Sequence, residues 1–522
     1  MPASSLDTGS LFGRIAAVHD RGRPAVVGRD GVVTYGQLLD RARRLACRLG
    51  PHDAPLLIYG DKQPAMVVAL VAALELGRPY VPLDAAAPSG RISRILAAAR
   101  PADAVLAQPA PPALARALTA RGIRSVVLDP LAAAGVVAGR DDGAATAPCA
   151  ADAEAPVYIL FTSGTTGEPK GVPIPHRALA HFTDWLLTAH AFTPGAETFL
   201  NQAPLGFDLS VMDVYGALLT GGALFTLGRD DLADPRLLFR RLDAAPLTVW
   251  VSTPSFARLC LAEPRFAQPM LPALRRFLFC GETLPVGVVQ ALQARFPRAT
   301  IWNMYGPTET TVAVTGMRIT AAMAAAGRPL PVGHPAPGLD VWIADPADPE
   351  TRLPRGSRGE IVIAGAQVAA GYLLPGEGAG AFVTLADGRR AYRTGDLGSI
   401  DPDDGALSCA GRLDRQIKLH GYRIELEEIE ARLRAVPGVA DGAVLAVDRD
   451  GQPDHLIAAV VGGDAAVRPL PDGGRALAQL VRAALAEWLP DYALPRLVHR
   501  VGALPLTANG KVDRGALRAM LG

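Results

Sequence analysis

The stretch Val157-Tyr158-Ile159-Leu160-Phe161-Thr162-Ser163-Gly164-Thr165-Thr166-Gly167-Glu168-Pro169-Lys170-Gly171 decides how the rest of the chain is read. Val157 to Leu160 is a short apolar run of the kind that forms a buried strand. Phe161 to Gly171 then holds three glycines, four hydroxyl side chains and one lysine. Glycines free the backbone to turn its N–H groups inward, hydroxyls add donors and lysine adds a point charge, a set that suits a polyphosphate. Lys170 is followed by Gly171 rather than Ser or Thr, so the loop is not a Walker A motif. The same composition fits a flexible surface loop, and the surrounding segments must decide.

Upstream, Val33-Thr34-Tyr35 leads into a predicted helix from Gly36 to Leu49, with Leu38, Leu39, Ala42 and Leu45 at helical spacing. Strand-like Leu56 to Tyr59 precedes a predicted helix over Pro64 to Leu76, stopped by Gly77. Tyr80 to Asp84, a helix near Ser89 to Ala99, Ala104 to Leu106 and Val126 to Leu128 continue the alternation. Residues 130 to 155, rich in Ala, Gly, Asp and Pro, read as a surface linker. Downstream come a helix near Arg177 to His190, a strand near Leu224 to Leu227, a helix near Pro235 to Leu242 and the strand Thr248 to Val251. Strands alternating with helices predict an α/β fold with a largely parallel sheet. Residues 341 to 410, with short strands such as Val341 to Ile343 and Glu360 to Ile363, predict a β-rich subdomain. After Asp414 a charged helix at 425 to 435, strands at Ala443 to Val447 and Leu456 to Val461, a loop from Gly462 to Arg475 and a helix from Ala476 to Trp488 predict a small α+β domain. The expected domains are therefore 1–413, a large N-terminal domain of layered sheets and helices, and 414–522.

Bulk properties narrow the class. At 522 residues the chain is too long for one core. Its 49% apolar and 20% charged residues with a formal net charge of +1 describe an ordinary globular protein. Such a balance gives no electrostatic case for nucleic acid or an anionic membrane as main partner. Apolar stretches such as Met66 to Leu74 are too short to span a bilayer, and the first residues lack the basic start and apolar core of a secretory signal. Five scattered cysteines without metal spacing fit reduced thiols in a cytoplasmic protein.

Eight segments now stand in a telling order: Tyr80-Val-Pro-Leu-Asp84, the opening loop, Phe207-Asp-Leu-Ser210, Asn303-Met-Tyr-Gly-Pro-Thr-Glu309, Gly359-Glu360, Tyr392-Arg-Thr-Gly-Asp-Leu397, Gly411-Arg-Leu-Asp-Arg-Gln-Ile-Lys418 and Asn509-Gly-Lys-Val-Asp-Arg514. Across nearly the whole chain this order resembles the adenylate-forming, AMP-binding ligases, and among them the amino-acid adenylation domains. Joining a carboxylate to the α-phosphate of ATP brings two anions together, so such a site must supply cations and donors. The resemblance implies that Thr162, Ser163, Gly164, Thr165, Thr166 and Lys170 hold the β- and γ-phosphates. It also implies that Glu309 and Thr166 or a neighbour help place Mg²⁺, as a hard ion with few protein ligands requires. Tyr305 then stacks on adenine, Asn303 reads its amine, Gly306 and Thr308 complete that motif, Asp396 binds both ribose hydroxyls and Arg412 contacts ribose or phosphate. Lys511 bridges substrate carboxylate and α-phosphate, and Asp414 matches the hinge about which the mobile C-terminal domain rotates.

Asp208 bears on the substrate. A carboxylate among apolar Leu209 and Met212 is costly unless paired with a cation, and an α-ammonium is the partner the resemblance implies. A helix N-cap is the plain structural role for the same residue. Three longer stretches, Phe207 to Tyr215, Ser252 to Phe256 with Phe279 to Glu282, and Gln416 to Glu430, resemble the D-alanine–carrier-protein ligases. Cys280 matches their pocket cysteine, although a buried cysteine often simply fills space. Leu278, Met304, Val312 and Ala313 complete the implied pocket. Met304 stands where that group usually carries a smaller residue, and Gly216 where it usually carries proline. A small amino acid, D-alanine first, is the implied substrate, with a phosphopantetheine carrier supplied in trans because no carrier motif appears in the chain. A ligase of a secondary-metabolite pathway acting on glycine, L-alanine or another small amino acid stays open. So do an acyl-CoA synthetase, against which Asp208 speaks, and a non-catalytic scaffold, against which Lys170, Glu309, Asp396 and Lys511 speak.

Overall fold

The computed structural model describes residues 10–128, 152–164, 168–449, 452–462, 475–507 and 511–521. Thr165, Thr166, Cys149, Asn509 and Gly510, most of the expected linker at 130 to 155 and nearly all of the loop from Gly462 to Arg475 lie outside the described residues. The chain divides into two compact units. The first comprises residues 1–85, 98–160 and 171–413, and the second 86–97, 161–170 and 414–522.

The first unit is layered. One sheet has nine strands, in the order His334–Pro335, Thr315–Ile319, Thr300–Tyr305, Arg276–Phe279, Val249–Ser252, Thr198–Asn201, Ala223–Thr226, Pro24–Gly28 and Gly31–Thr34. Its six central strands run parallel, and antiparallel strands finish both edges. A second sheet runs Arg124–Val127, Asp103–Leu106, Leu56–Gly60, Tyr80–Asp84, Pro156–Thr162 and Lys170–Pro175. Central parallel strands need both faces covered and are correspondingly apolar; all five residues of Leu56–Gly60 are buried, whereas the edge strand Arg124–Val127 is mostly exposed. The helix Pro64–Glu75 is correspondingly buried on every side from Pro64 to Leu74. Tyr35–Leu49 instead presents one stripe, Leu38, Leu39, Ala42 and Leu45, and starts at a Thr34–Gln37 capping box.

The expected β-rich stretch is an antiparallel sheet of six strands. Its main order is Asp348–Arg352, Asp340–Asp345, Gly359–Ala364, Arg390–Ile400 and Phe382–Thr384, with Leu407–Arg412 paired to Arg390–Ile400. Several helices were not expected from the sequence, among them Leu209–Thr220, whose residues from Leu209 to Leu218 are all buried. A run apolar on every face carries no amphipathic period to read. Gly216 in its interior fits against Phe199, since a Cβ there would lie 2.7 Å from the ring.

The second unit holds the hairpin Gln416–Leu419/Tyr422–Glu425, the helix Leu426–Arg434 and a three-stranded sheet of Val439–Arg449, Gln452–Gly462 and Leu497–Val501. Leu426, Ile429, Leu433, Val444, Leu456 and Val481 form its core. No helix among the described residues is long and apolar enough to cross a membrane.

Candidate active site

The strand Thr300–Tyr305 ends the parallel run of the nine-stranded sheet and releases Asn303, Met304 and Tyr305 at its C-terminal end, where open α/β sheets place their ligand sites. The Tyr305 hydroxyl donates to Asp396 Oδ2 at 2.6 Å, and Arg412 donates to the other carboxylate oxygen. Asp396 and Arg412 sit opposite each other on adjacent strands. Burial, with the Asp396 charge adding, holds the Tyr305 phenol well above its usual range, so it remains a donor. Buried Glu360 fixes the strand backbone just before Asp396. It accepts from Gly395 N at 3.1 Å and from Arg393 Nη2 at 2.6 Å. Asn303 Nδ2 donates to Pro331 O at 2.8 Å, which orients the amide and leaves its oxygen as the acceptor that an exocyclic amine needs.

Past the strand, Gly306 passes so close to Ala313 that a Cβ would lie 2.7 Å from its Cα. The single turn Thr308–Thr310 follows. Glu309 is fully buried; Oε1 accepts from Tyr372 at 2.7 Å and its carbonyl from Ala369 N at 2.9 Å. Thr308 Oγ1 donates to Asp208 Oδ2 at 2.6 Å. Asp208 occupies the N-cap position of Leu209–Thr220 but has helical backbone angles, and its side chain makes no cap bond. An N-cap Asp would adopt extended angles and accept from the first turn. The plain structural role is therefore absent, and the carboxylate turns to Thr308 instead.

The other implied pocket residues, Leu209, Met212, Leu278, Cys280, Met304, Val312 and Ala313, are all buried. The Cys280 thiol donates to Val312 O at 3.6 Å. Ser255 and Glu282 tie two of the longer motifs together, with N and Oγ of Ser255 each 2.9 Å from the carboxylate. Met304 lies opposite Gly316 on the neighbouring strand. A Cβ at Gly316 would reach ordinary contact with Met304 Cγ and Trp185 at 3.4 Å, so position 316 has room for one carbon beside the Met304 side chain. Thr311 and Val312 both have positive φ, 62° and 67°. For β-branched residues that is costly, about 1–3 kcal/mol each.

The remaining candidates belong to the second unit. Ser163 Oγ donates to Arg423 O at 2.8 Å. Gly164 is required there, since a Cβ would meet Glu168 O at 2.1 Å. The Thr162 hydroxyl is buried without a hydrogen-bond partner among the described residues, and Lys170 is also buried. Asp414 accepts from Gln416 N at 3.1 Å. Lys511 is exposed, its backbone exchanging bonds with Thr507 at 2.7 and 3.3 Å. Glu430 joins the two motifs that flank these residues, accepting from Arg415 at 2.7 Å and Arg514 at 3.0 Å. Burial alone would raise its carboxyl, but Arg415, the Val444 N–H and Arg514 outweigh that and hold it low. Sequence reading missed the roles of Tyr372, Glu430 and Gly316; only the helical spacing that buries Glu430 on the inner face of Leu426–Arg434 could have pointed to one of them.

A family model described as AMP-binding enzyme matches residues 13–373, and one described as AMP-binding enzyme C-terminal domain matches 428–511. The chain is 40% identical over 491 residues to the D-alanine–D-alanyl carrier protein ligase of Bacillus velezensis, covering 93% of this chain and 94% of that one. It is also 40% identical to the ligase of the same name from Bacillus thuringiensis, covering 96% and 97%. Among solved structures it resembles holo-PA1221, an NRPS protein containing adenylation and PCP domains bound to a vinylsulfonamide inhibitor. That match has 32% identity and a TM-score of 0.78, and covers 98% of this chain and 83% of that one. With the ordered motifs, the layered α/β fold and these matches together, the chain belongs to the AMP-binding enzymes and is an ATP-dependent, AMP-forming ligase.

Proposed function

We infer that the chain activates a small amino acid, D-alanine first, and transfers it to the phosphopantetheine thiol of a carrier protein. The observation that carries the substrate class is Asp208, a carboxylate beside buried Leu209 and Met212 that does not cap its own helix. Thr308 Oγ1 donates to that carboxylate at 2.6 Å, and in this reading the α-ammonium of the substrate pairs with it on binding. The two Bacillus relatives, named for D-alanine and its carrier, support the substrate and partner.

In the first step a substrate carboxylate oxygen attacks the α-phosphorus, and the bond to the β-phosphate breaks to release pyrophosphate. Lys511 would stabilise the charge shared by carboxylate and α-phosphate. Lys170 and the hydroxyls of Thr162 and Ser163 would face the phosphates, with Thr165 and Thr166 beside them. The unpartnered Thr162 hydroxyl fits that role. Asp396, already oriented by Tyr305 and Arg412, keeps lone pairs on both oxygens for ribose hydroxyls. Glu309 suits Mg²⁺, since its buried carboxylate is one hard ligand held in place by Tyr372. The ion, when bound, neutralises phosphate charge. In the second step the thiol sulfur attacks the acyl carbon, the bond to AMP breaks and the thiol proton is lost. Asp414 is the first residue of the C-terminal segment of the second unit. As a hinge it predicts that Asp414→Pro impairs one half-reaction more than the other.

Met304, packed over Gly316, favours a second reading in which the acid is glycine, L-alanine or another small amino acid. Pyrophosphate exchange over a panel of D- and L-amino acids, fatty acids and aryl acids tests both. D-alanine as the best substrate supports the first reading, and exchange with fatty or aryl acids alone removes both.

A further inference from the structure

The strained turn after Glu309 is held by a residue outside every motif. The Gln367 side chain is fully buried, and the two N–H groups of its Nε2 serve three carbonyls, Ala313 O at 2.8 Å and Thr310 O and Thr311 O at 3.2 Å each, one N–H being shared. Thr311 Oγ1 returns a bond to the Gln367 carbonyl at 2.9 Å. With the amide nitrogen so engaged, Gln367 Oε1 must accept, and His181 Nδ1 lies 3.0 Å from it. His181 Nε2 is 2.9 Å from Pro337 O. Four residues earlier on the same helix, His176–His190, Arg177 donates to Val368 O at 3.1 Å and to Ala366 O. Residues four apart share a helix face, so Arg177 and His181 together grip the segment that carries Gln367.

We propose that Gln367, aimed by His181, is a positioning residue for substrate selection. Its carboxamide pins the carbonyls of Thr310, Thr311 and Ala313, and with them the backbone that sets where Val312 and Ala313 stand. The inference rests on the reading of Val312 and Ala313 as walls of the amino-acid pocket. The Glu309 carboxylate is held separately by the Tyr372 hydroxyl, so the effect separates from nucleotide binding. A left-handed turn of two β-branched residues persists only when its surroundings over-determine it; three bonds from one buried amide do so.

The test is the split between the two substrates. Gln367→Met keeps length and loses the donors. It is expected to raise KM for the best acid of the panel by about tenfold or more. Preference over the next-best acid should fall by a similar factor, with KM for ATP within about twofold. His181→Phe, which leaves Gln367 in place but removes its aim, should move the same parameters by about threefold. Should Gln367→Met lose its cooperative melt, His181→Phe decides alone. Unchanged acid KM and preference in a folded variant overturn the proposal, as does an equal rise in KM for ATP. Should the parent prefer an acid without an amino group, the proposed function fails. The two variants, read with that acid, still decide the clamp.

Discussion

Around Asp396 side chains hold one another: Tyr305 and Arg412 both bond its carboxylate, and in the same way Tyr372 bonds Glu309. Around Val312 they do not. Leu278, Met304, Val312 and Ala313 bring no strong polar side-chain group, and Val312 and Ala313 stand on a backbone whose carbonyls bond Gln367 and Cys280. The first arrangement fixes charge and donors, as nucleotide chemistry requires. The second fixes shape. On the proposed site, the nucleotide side is written in residue types and the shape of the amino-acid pocket in the path of the chain.

Four experiments strain that contrast. The largest effect is expected from Lys511→Ala, which should cut pyrophosphate exchange by about a thousandfold while leaving transfer from a supplied adenylate nearly intact. Exchange close to the parent's would take Lys511 out of the chemistry. Asp208→Ala tests the one charge proposed for the shape-fixed side. KM for the amino acid should rise by about a hundredfold, as when one member of a desolvated pair is lost, with KM for ATP unchanged; parent-like activity would undo the substrate class. Tyr305→Phe removes one hydrogen bond of about 1 kcal/mol. It should raise KM for ATP several-fold and spare the amino acid, and a matching rise in amino-acid KM would blur the two regions into one.

The smallest effect concerns stability. His190 is buried against Trp302, the neighbour of Asn303, and neither ring nitrogen has a hydrogen-bond partner among the described residues. Burial, with Arg276 adding, lowers its pKa to about 3. The unfolded imidazole takes up a proton near pH 6.5 and the native one only near pH 3. Stability should therefore fall as pH drops between those values, because there the unfolded state binds the extra proton. Melting temperatures of His190→Phe, measured from about pH 7 to about pH 4.5, should fall less than those of the parent. An equal slope would place the acid sensitivity elsewhere.

The same contrast explains what could be read in advance. The helix Tyr35–Leu49 and the strand Pro156–Thr162 came from periodicity and apolar runs, because burial on one stripe or on both faces leaves that trace. Asp396, Arg412 and Glu309 came from motifs, since their chemistry demands those side chains. Leu209–Thr220 left no trace because it is apolar on every face. Gln367 left none because glutamine between Ala366 and Val368 has no distinctive spacing. Its importance comes from three carbonyls more than fifty residues upstream. Asp208 was legible as a carboxylate, but not that a threonine one hundred residues on would claim it.

Gly316 leaves room for one carbon beside Met304, and that has an evolutionary consequence. With contact at 3.4 Å already reached by a single added carbon, any side chain at 316 larger than alanine obliges Met304 or Trp185 to shift. Two codons on facing strands therefore inherit one decision about volume. On the proposed pocket, a lineage could change the substrate through residue 316, which faces Met304 across the strand pair without being one of the pocket positions named above.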